Sequence, residues 1–476
     1  MAADHLLQFV GRDQAYPAKR AAGERVSDFA EIAPRYAVPS AEDQAGRCSQ
    51  CGVPYCAVHC PLHNHIPDWL RLTAEGRLRD AFELSNATST MPEICGRICP
   101  QDRLCEGNCV IEFSGHGAVT IGSVERFITD LAWEEGWVEP LVPGPARGQS
   151  VGVIGAGPAG LTAAEYLRVD GYEVHVYDRH DRAGGLLTYG IPGFKLEKPV
   201  VIRRIERLAA GGIHFHPGFE VGRDATLDEL RARHDAVLIA TGVYRARSLD
   251  VAGADGDHVV EALDYLTASN RKGFGDDVPA FDHGRLNAAG KHVVVVGGGD
   301  TAMDCVRTAV RQGAASVKCL YRRDRANMPG SQREVGHAEE EGVKFVWLAA
   351  PEAVEPGGVR ASRMRLGAAD ASGRRTPERE QGEAELHRAD LVIKALGFDA
   401  EDLPTLWGAP GLPVSRWGTV LVDATTMMTG LDGVFAAGDI VRGASLVVWA
   451  IRDGRDVSAS MHAWLRARAS RERKAA

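Results

Sequence analysis

Val151-Gly152-Val153-Ile154-Gly155-Ala156-Gly157-Pro158-Ala159-Gly160 reads as a short buried strand that runs into GxGxxG and then into a helix. The three glycines do different work. Gly155 permits the tight turn, Gly157 lets a pyrophosphate approach the backbone, and Gly160 lets helix and strand pack closely. The helix N-terminus adds partial positive charge, which favours an anion. The next predicted strand, Glu173 to Tyr177, ends at Asp178, near the offset where an acidic side chain accepts hydrogen bonds from an adenosine ribose. Together these features predict a nucleotide site.

Toward the C-terminus the unit recurs. His292 to Val296 reads as a strand, and Gly297, Gly299 and Ala302 hold the fingerprint positions of a second pyrophosphate cradle. After the following strand, Ser316 to Leu320, comes Tyr321-Arg322-Arg323, with no acid at the ribose position. Guanidinium pairs bidentately with phosphate, so Arg322 and Arg323 predict a 2′-phosphate pocket and NADPH in preference to NADH; the alternative is a solvated basic turn. Ala240-Thr241-Gly242 closes another apolar strand. Gly433-Val434-Phe435-Ala436-Ala437-Gly438-Asp439 resembles the flavin-binding segment of two-dinucleotide-domain flavoproteins, in which the aspartate meets the ribityl chain. That resemblance implies FAD, held with Thr241, Gly242, Gly438 and Asp439. Because the segment lies beyond the second unit, the FAD domain is expected to be split, with the other nucleotide domain inserted in it. Strands alternating with helices after residue 148 imply doubly wound parallel sheets. Arg360 to Glu385 has no clear period and reads as turns and short strands.

Upstream of Glu139-Pro140-Leu141-Val142-Pro143-Gly144-Pro145, a linker-like stretch, the chain is helical and loop-rich and holds eight of the ten cysteines. They form Cys48-x2-Cys51-x4-Cys56-x3-Cys60-Pro61 and Cys95-x3-Cys99-Pro100-x4-Cys105-x3-Cys109. In a reducing compartment such spacing points to metal rather than disulfides. Thiolates suit zinc and iron-sulfur clusters alike; the Cys-Pro endings resemble ferredoxins, and two dinucleotide sites favour a redox centre. In ferredoxins the cysteine before proline ligates the other cluster. By that pattern Cys60 joins Cys99, Cys105 and Cys109, which leaves Cys48, Cys51 and Cys56 one donor short. Cys95 and Glu125 are rivals for that place, and spacing does not choose between them. Cys305 and Cys319 read as buried structural thiols, and His63 and His65 as surface or supporting residues.

With 45% hydrophobic residues, 25% charged and a net charge of -9, nothing suggests a nucleic-acid or anionic-membrane partner. The N-terminus, MAADHLLQFVGRDQ, has no signal-like pattern, and no uncharged apolar run approaches the ~18 residues of a membrane span, so a cytoplasmic location is expected. The predicted class is α/β: a helical N-terminal iron-sulfur domain (1–145), then two doubly wound dinucleotide-binding domains. FAD takes 146–287 and 423–476, and NADPH takes the inserted 288–422.

Pro54-Tyr55-Cys56 to Cys60-Pro61-Leu62, Pro92-Glu93-Ile94-Cys95-Gly96-Arg97-Ile98-Cys99-Pro100-Gln101, Gly184-Gly185-Leu186-Leu187-Thr188-Tyr189-Gly190-Ile191-Pro192 and Tyr321-Arg322-Arg323-Asp324 to Asn327-Met328-Pro329-Gly330 resemble the NADPH-oxidising small (beta) subunits of glutamate synthase over nearly the whole chain. The resemblance implies FAD, NADPH, two 4Fe-4S clusters and an FMN-containing large subunit that makes glutamate. It also implies that Gly185, Leu186 and Ile191 lie near the flavin and that Asp300 and Thr301 border the nicotinamide nucleotide. No acid-base residue is nominated as catalytic. Dihydropyrimidine dehydrogenase and flavin-bifurcating transhydrogenase carry the same module; the former, in its long form, continues into a barrel, whereas this sequence stops at Ala476. A disulfide reductase would need a cysteine pair that Gly184 to Pro192 lacks. A zinc-binding, non-enzymatic flavoprotein is the alternative from another class.

Overall fold

The computed structural model describes residues 6–369 and 375–475, so residues 1–5 of the expected first domain lie outside the described part. The valine-rich strand at Ser150–Ile154 lies at the centre of a parallel sheet, between Glu173–Asp178 and Ala236–Ile239. His214–Pro217 extends one edge, and Val434–Ala436 pairs with Ala236–Ile239 on the other. The chain therefore leaves this sheet after Ile239 and returns to it nearly two hundred residues later. The second parallel sheet runs Val259–Glu261, Leu391–Lys394, His292–Val296, Ser316–Tyr321, Lys344–Trp347. Continuous apolar runs such as Val293 to Val296 form these central strands because both faces are covered by helices.

Two expected boundaries move. Val259–Glu261 pairs in the second sheet and the helix Ala262–Gly273 packs into its core, although the expected first part of the FAD domain ran to 287; the same helix also touches Leu186–Tyr189, where Asn270 donates to the Tyr189 carbonyl at 2.8 Å. Ala400, Leu403, Trp407, Leu412 and Val420 pack into a core of the first sheet, although the expected second domain ran to 422. Neither was legible, because a three-residue strand shows no period and the returning segment carries little regular structure. Arg360 to Glu385 holds longer strands than expected: Gly358–Ala369 forms antiparallel pairs with Ala349–Glu355, Arg375–Arg379 and Glu385–Arg388. Its residues 370–374 lie outside the described part.

In the N-terminal region, helices Ile66–Ala74, Leu78–Asn86 and Ile121–Glu134 build a core around Trp69, Leu70, Phe127 and Ile128, and Pro92–Ile98 packs on Ile121–Glu134. Met91, Ile94 and Cys95 continue into the core of the first sheet, so the two units share packed apolar surface. A buried ion pair fixes this junction: Arg204 donates from Nε and Nη2 to the two carboxylate oxygens of Glu93, both at 2.8 Å, with the side chains 3% and 0% exposed. Removing one partner strands a buried charge. Glu93→Ala is expected to cost about 3–5 kcal/mol, read by urea denaturation, and Glu93→Leu with Arg204→Met to recover most of it. A second buried network joins the N-terminal segment to the second sheet: Arg25, Arg307 and Arg311 all bond Glu341.

Candidate functional site

At the carboxyl end of the first sheet two clefts share Gly155, Asp178, Thr241 and Tyr244. The larger, about 360 Å³, extends toward Arg179, His180, Phe219 and Trp407. The smaller, about 110 Å³, is lined by Gly157, Gly185, Leu186, Gly242, Gly438 and Asp439, and also by Leu446 and Val447. Sterics explain the glycines. Gly155 has φ 109°, and a Cβ there would lie 2.4 Å from the Ala240 carbonyl oxygen; a Cβ on Gly160 would lie 2.0 Å from the Gly155 oxygen. At Gly157 a Cβ would meet nothing within 4 Å, which leaves this place open to a pyrophosphate.

Thr241 Oγ1 is buried without a hydrogen-bond partner, as expected of a group that serves a ligand. Asp178 stands at the strand end, where its Oδ2 accepts the Ala156 N–H at 2.7 Å and its Oδ1 accepts the His180 N–H at 2.8 Å, so it also pins the glycine turn. Asp439 opens the helix Asp439–Arg442, and burial pushes its carboxyl up to about 6. Ile191 is set back from the smaller cleft: its carbonyl accepts from Lys198 Nζ, which also donates to the Leu187 carbonyl at 3.0 Å. Burial lowers that lysine to about 7. Lys198 had no sequence signal. Tyr244, with the Arg179 guanidinium 4.6 Å over its ring, could have been suspected from its place two residues after Gly242.

The second turn repeats the construction. A Cβ on Gly297 would lie 2.2 Å from the Ala395 oxygen, and Gly299 is open within 4 Å. Ala302 is fully buried in the helix Asp300–Arg311. Thr301 lies in its first turn, while Asp300 Oδ1 accepts the Ser331 N–H at 2.9 Å. Arg325 is held by Glu339 at 2.8 Å, but among the described residues Arg322 and Arg323 make no ion pair, and Arg323 Nε is buried without a partner. Two uncommitted guanidiniums beyond the strand that ends at Tyr321 fit a phosphate dianion.

The cysteines separate into two cavities. Cys48, Cys51, Cys56 and Cys109 line one; Cys60, Cys95, Cys99 and Cys105, with Glu125, line the other. The ferredoxin-style grouping is therefore corrected in two respects: Cys109 lies with Cys48, Cys51 and Cys56, and both Cys95 and Glu125 face the second cavity rather than the first. Close helix contact causes the latter, since a Cβ on Gly96 would lie 2.7 Å from Arg126 N. Burial pushes the Cys48 and Cys60 thiols up to about 11. Bound metal would reverse that preference, because a coordinating thiol is deprotonated outright. Gln50 Nε2 donates to Cys48 Sγ at 3.2 Å, the kind of bond that tunes a cluster's potential. Cys305 and Cys319 are fully buried beside the second sheet, away from both cavities.

Fold and sites together define an iron-sulfur flavoprotein oxidoreductase with two dinucleotide-binding domains. Residues 25–137 match the family model described as dihydropyrimidine dehydrogenase domain II, 4Fe-4S cluster, and residues 149–454 match pyridine nucleotide-disulphide oxidoreductase. FprA from Mycobacterium tuberculosis in complex with NADPH shares the fold at TM-score 0.58 and 19% identity, covering 69% of this chain and 86% of that one. The chain is 66% identical over 473 residues to the glutamate synthase [NADPH] small chain of Azospirillum brasilense, covering 98% of each. To that of Escherichia coli K12 it is 44% identical, covering 97% of this chain and 99% of the relative. The chain belongs to the glutamate synthase [NADPH] small chain family, an NADPH oxidoreductase family. Its cofactors are FAD, NADPH and 4Fe-4S clusters. Among the described residues no helix is long and apolar enough to cross a membrane.

Proposed function

We propose that this chain takes hydride from NADPH and delivers electrons through FAD and two 4Fe-4S clusters to an FMN-containing large subunit, which forms glutamate from 2-oxoglutarate and glutamine. The observation that carries this reading is the adjacency of the three cavities. Leu446 and Val447 line the flavin cleft, and the next residue, Val448, lines the cavity of Cys60, Cys99 and Cys105. Ile121 in turn lines both cysteine cavities. When bound, the flavin supplies the conversion between two-electron and one-electron chemistry. The chain's residues hold and orient: Gly155, Gly157, Gly160, Asp178 and Thr241 at the FAD, Gly297, Gly299, Arg322 and Arg323 at the NADPH, and the eight thiols with Glu125 at the clusters. Beside the cavity of Cys48, Cys51, Cys56 and Cys109, the residues Val53, Tyr55, Val58, Val110 and Phe113 are exposed, from 39% to 73%, an apolar surface suited to the large subunit. A cytoplasmic location goes with thiols that are all unbridged.

Anaerobic preparation should give one FAD and about eight irons with matching acid-labile sulfide per chain. The isolated protein should reduce artificial acceptors with NADPH but form glutamate only after the large subunit is added. Two zinc ions and no sulfide would overturn the electron-transfer role, and glutamate formation by the chain alone would overturn the division of labour. Five donors face the second cavity for four positions. Of Cys95→Ser and Glu125→Ala, the variant that loses iron identifies the ligand, and the other keeps about eight.

A further inference from the structure

Four imidazoles meet on one face of the first sheet, beyond any residue used above. His175 is in register with His214 on the neighbouring strand, and their rings stack at 4.8 Å. His216, two residues further along that strand and so on the same face, places Nε2 3.0 Å from His175 Nδ1. His234 lies 5.1 Å from the His175 ring, in space that Gly152 leaves clear: a Cβ there would sit 2.6 Å from the His234 ring. Glu173 Oε1 is 3.0 Å from His175 Nε2.

One ligand atom from each of Glu173, His175 and His214 falls within 4.8 Å of the other two. Apolar burial does not account for the group, since Glu173 and His214 are exposed. Imidazole and carboxylate are a donor set for zinc and its neighbours in the first transition row. We propose that Glu173, His175 and His214 form a binding site for a divalent transition-metal ion of the zinc type, separate from the iron-sulfur centres.

Zinc takes nitrogen and oxygen donors at about 2.0–2.2 Å, so the three must draw closer. Rotation of the exposed Glu173 and His214 side chains supplies that movement, while the paired backbone stays in place. His216 has a supporting part. With the ion on His175 Nε2, in place of the proton that Nε2 shares with Glu173 Oε1, the Nδ1–H of His175 would donate to His216 Nε2, 3.0 Å away, and hold the ring in place. Water completes the coordination. The ion would clip the edge strand His214–Pro217 to its neighbour.

The test uses full-length protein with FAD and clusters assembled, freed of loose metal with a mild chelator and titrated with zinc by calorimetry. One zinc per chain is expected, together with a rise in Tm on saturation. His175→Gln with His214→Gln should abolish both, and His216→Phe should weaken binding about 10- to 100-fold. FAD and iron contents, measured on every variant, report the fold and the cluster assignment independently of this site. Since His214 is exposed, His214→Gln alone tests the idea without threatening the fold. Unchanged stoichiometry and affinity in the double variant, or no zinc bound by the parent, would overturn the proposal.

Discussion

Serine at Cys109 is expected to remove one of the two iron-sulfur centres and to end glutamate synthesis by the assembled enzyme. Cys109 is buried at the end of a loop and faces Cys48, Cys51 and Cys56. A hydroxyl of nearly the same size fits that place but does not replace a soft thiolate as an iron donor. Iron and sulfide should fall from about eight to about four per chain, and the large subunit should receive no electrons through the gap. Cys99→Ser should do the same at the other cavity. The pair also tests the grouping of the thiols. If Cys60, Cys99, Cys105 and Cys109 formed one set, the double variant would keep about four irons; with the grouping described here it should keep none. Eight irons in either single variant would show that the cysteine is not a ligand.

The second large effect concerns coenzyme choice. Replacing Arg322 and Arg323 together with alanine should weaken NADPH while leaving NADH nearly as before. Each charge-assisted bond to phosphate is worth about 1.5–3 kcal/mol, or about 10- to 150-fold in affinity. Neither guanidinium has a competing carboxylate among the described residues, so little of that energy is already spent within the protein. Steady-state KM and kcat/KM for both coenzymes decide it. Equal losses for the two would show that these arginines do not read the 2′-phosphate.

The glycine turns were legible because their constraint is local. A carbonyl 2.4 Å from a would-be Cβ at Gly155 excludes every other side chain whatever the rest of the fold does. The segment Gly433 to Asp439 was read instead through its resemblance to flavin-binding segments, and its distance from the first turn pointed to the late return of the chain that the pairing of Val434–Ala436 with Ala236–Ile239 shows. The grouping of the thiols was not legible. Cys105 and Cys109 are four residues apart yet face different cavities, because the chain turns between them before the short helix Val110–Phe113. Spacing records how far apart donors are along the chain, not which loops fold over them. Lys198 was invisible for a related reason: its role depends on two carbonyls brought to it by the Gly184 to Ile191 loop.

The return of Val434–Ala436 to the first sheet sets a timetable for biosynthesis. The four strands from Ser150 to Ile239 leave the ribosome early, but their open edge is paired only when residues 434–436 have been made. At about 5–20 residues per second that wait lasts roughly 10–40 s. Throughout it the free edge of the Ala236–Ile239 strand, fully apolar, is open to wrong partners. Gly438 and Asp439 arrive later still, so the cleft they line is completed only after the cysteine region has emerged and had time to acquire iron.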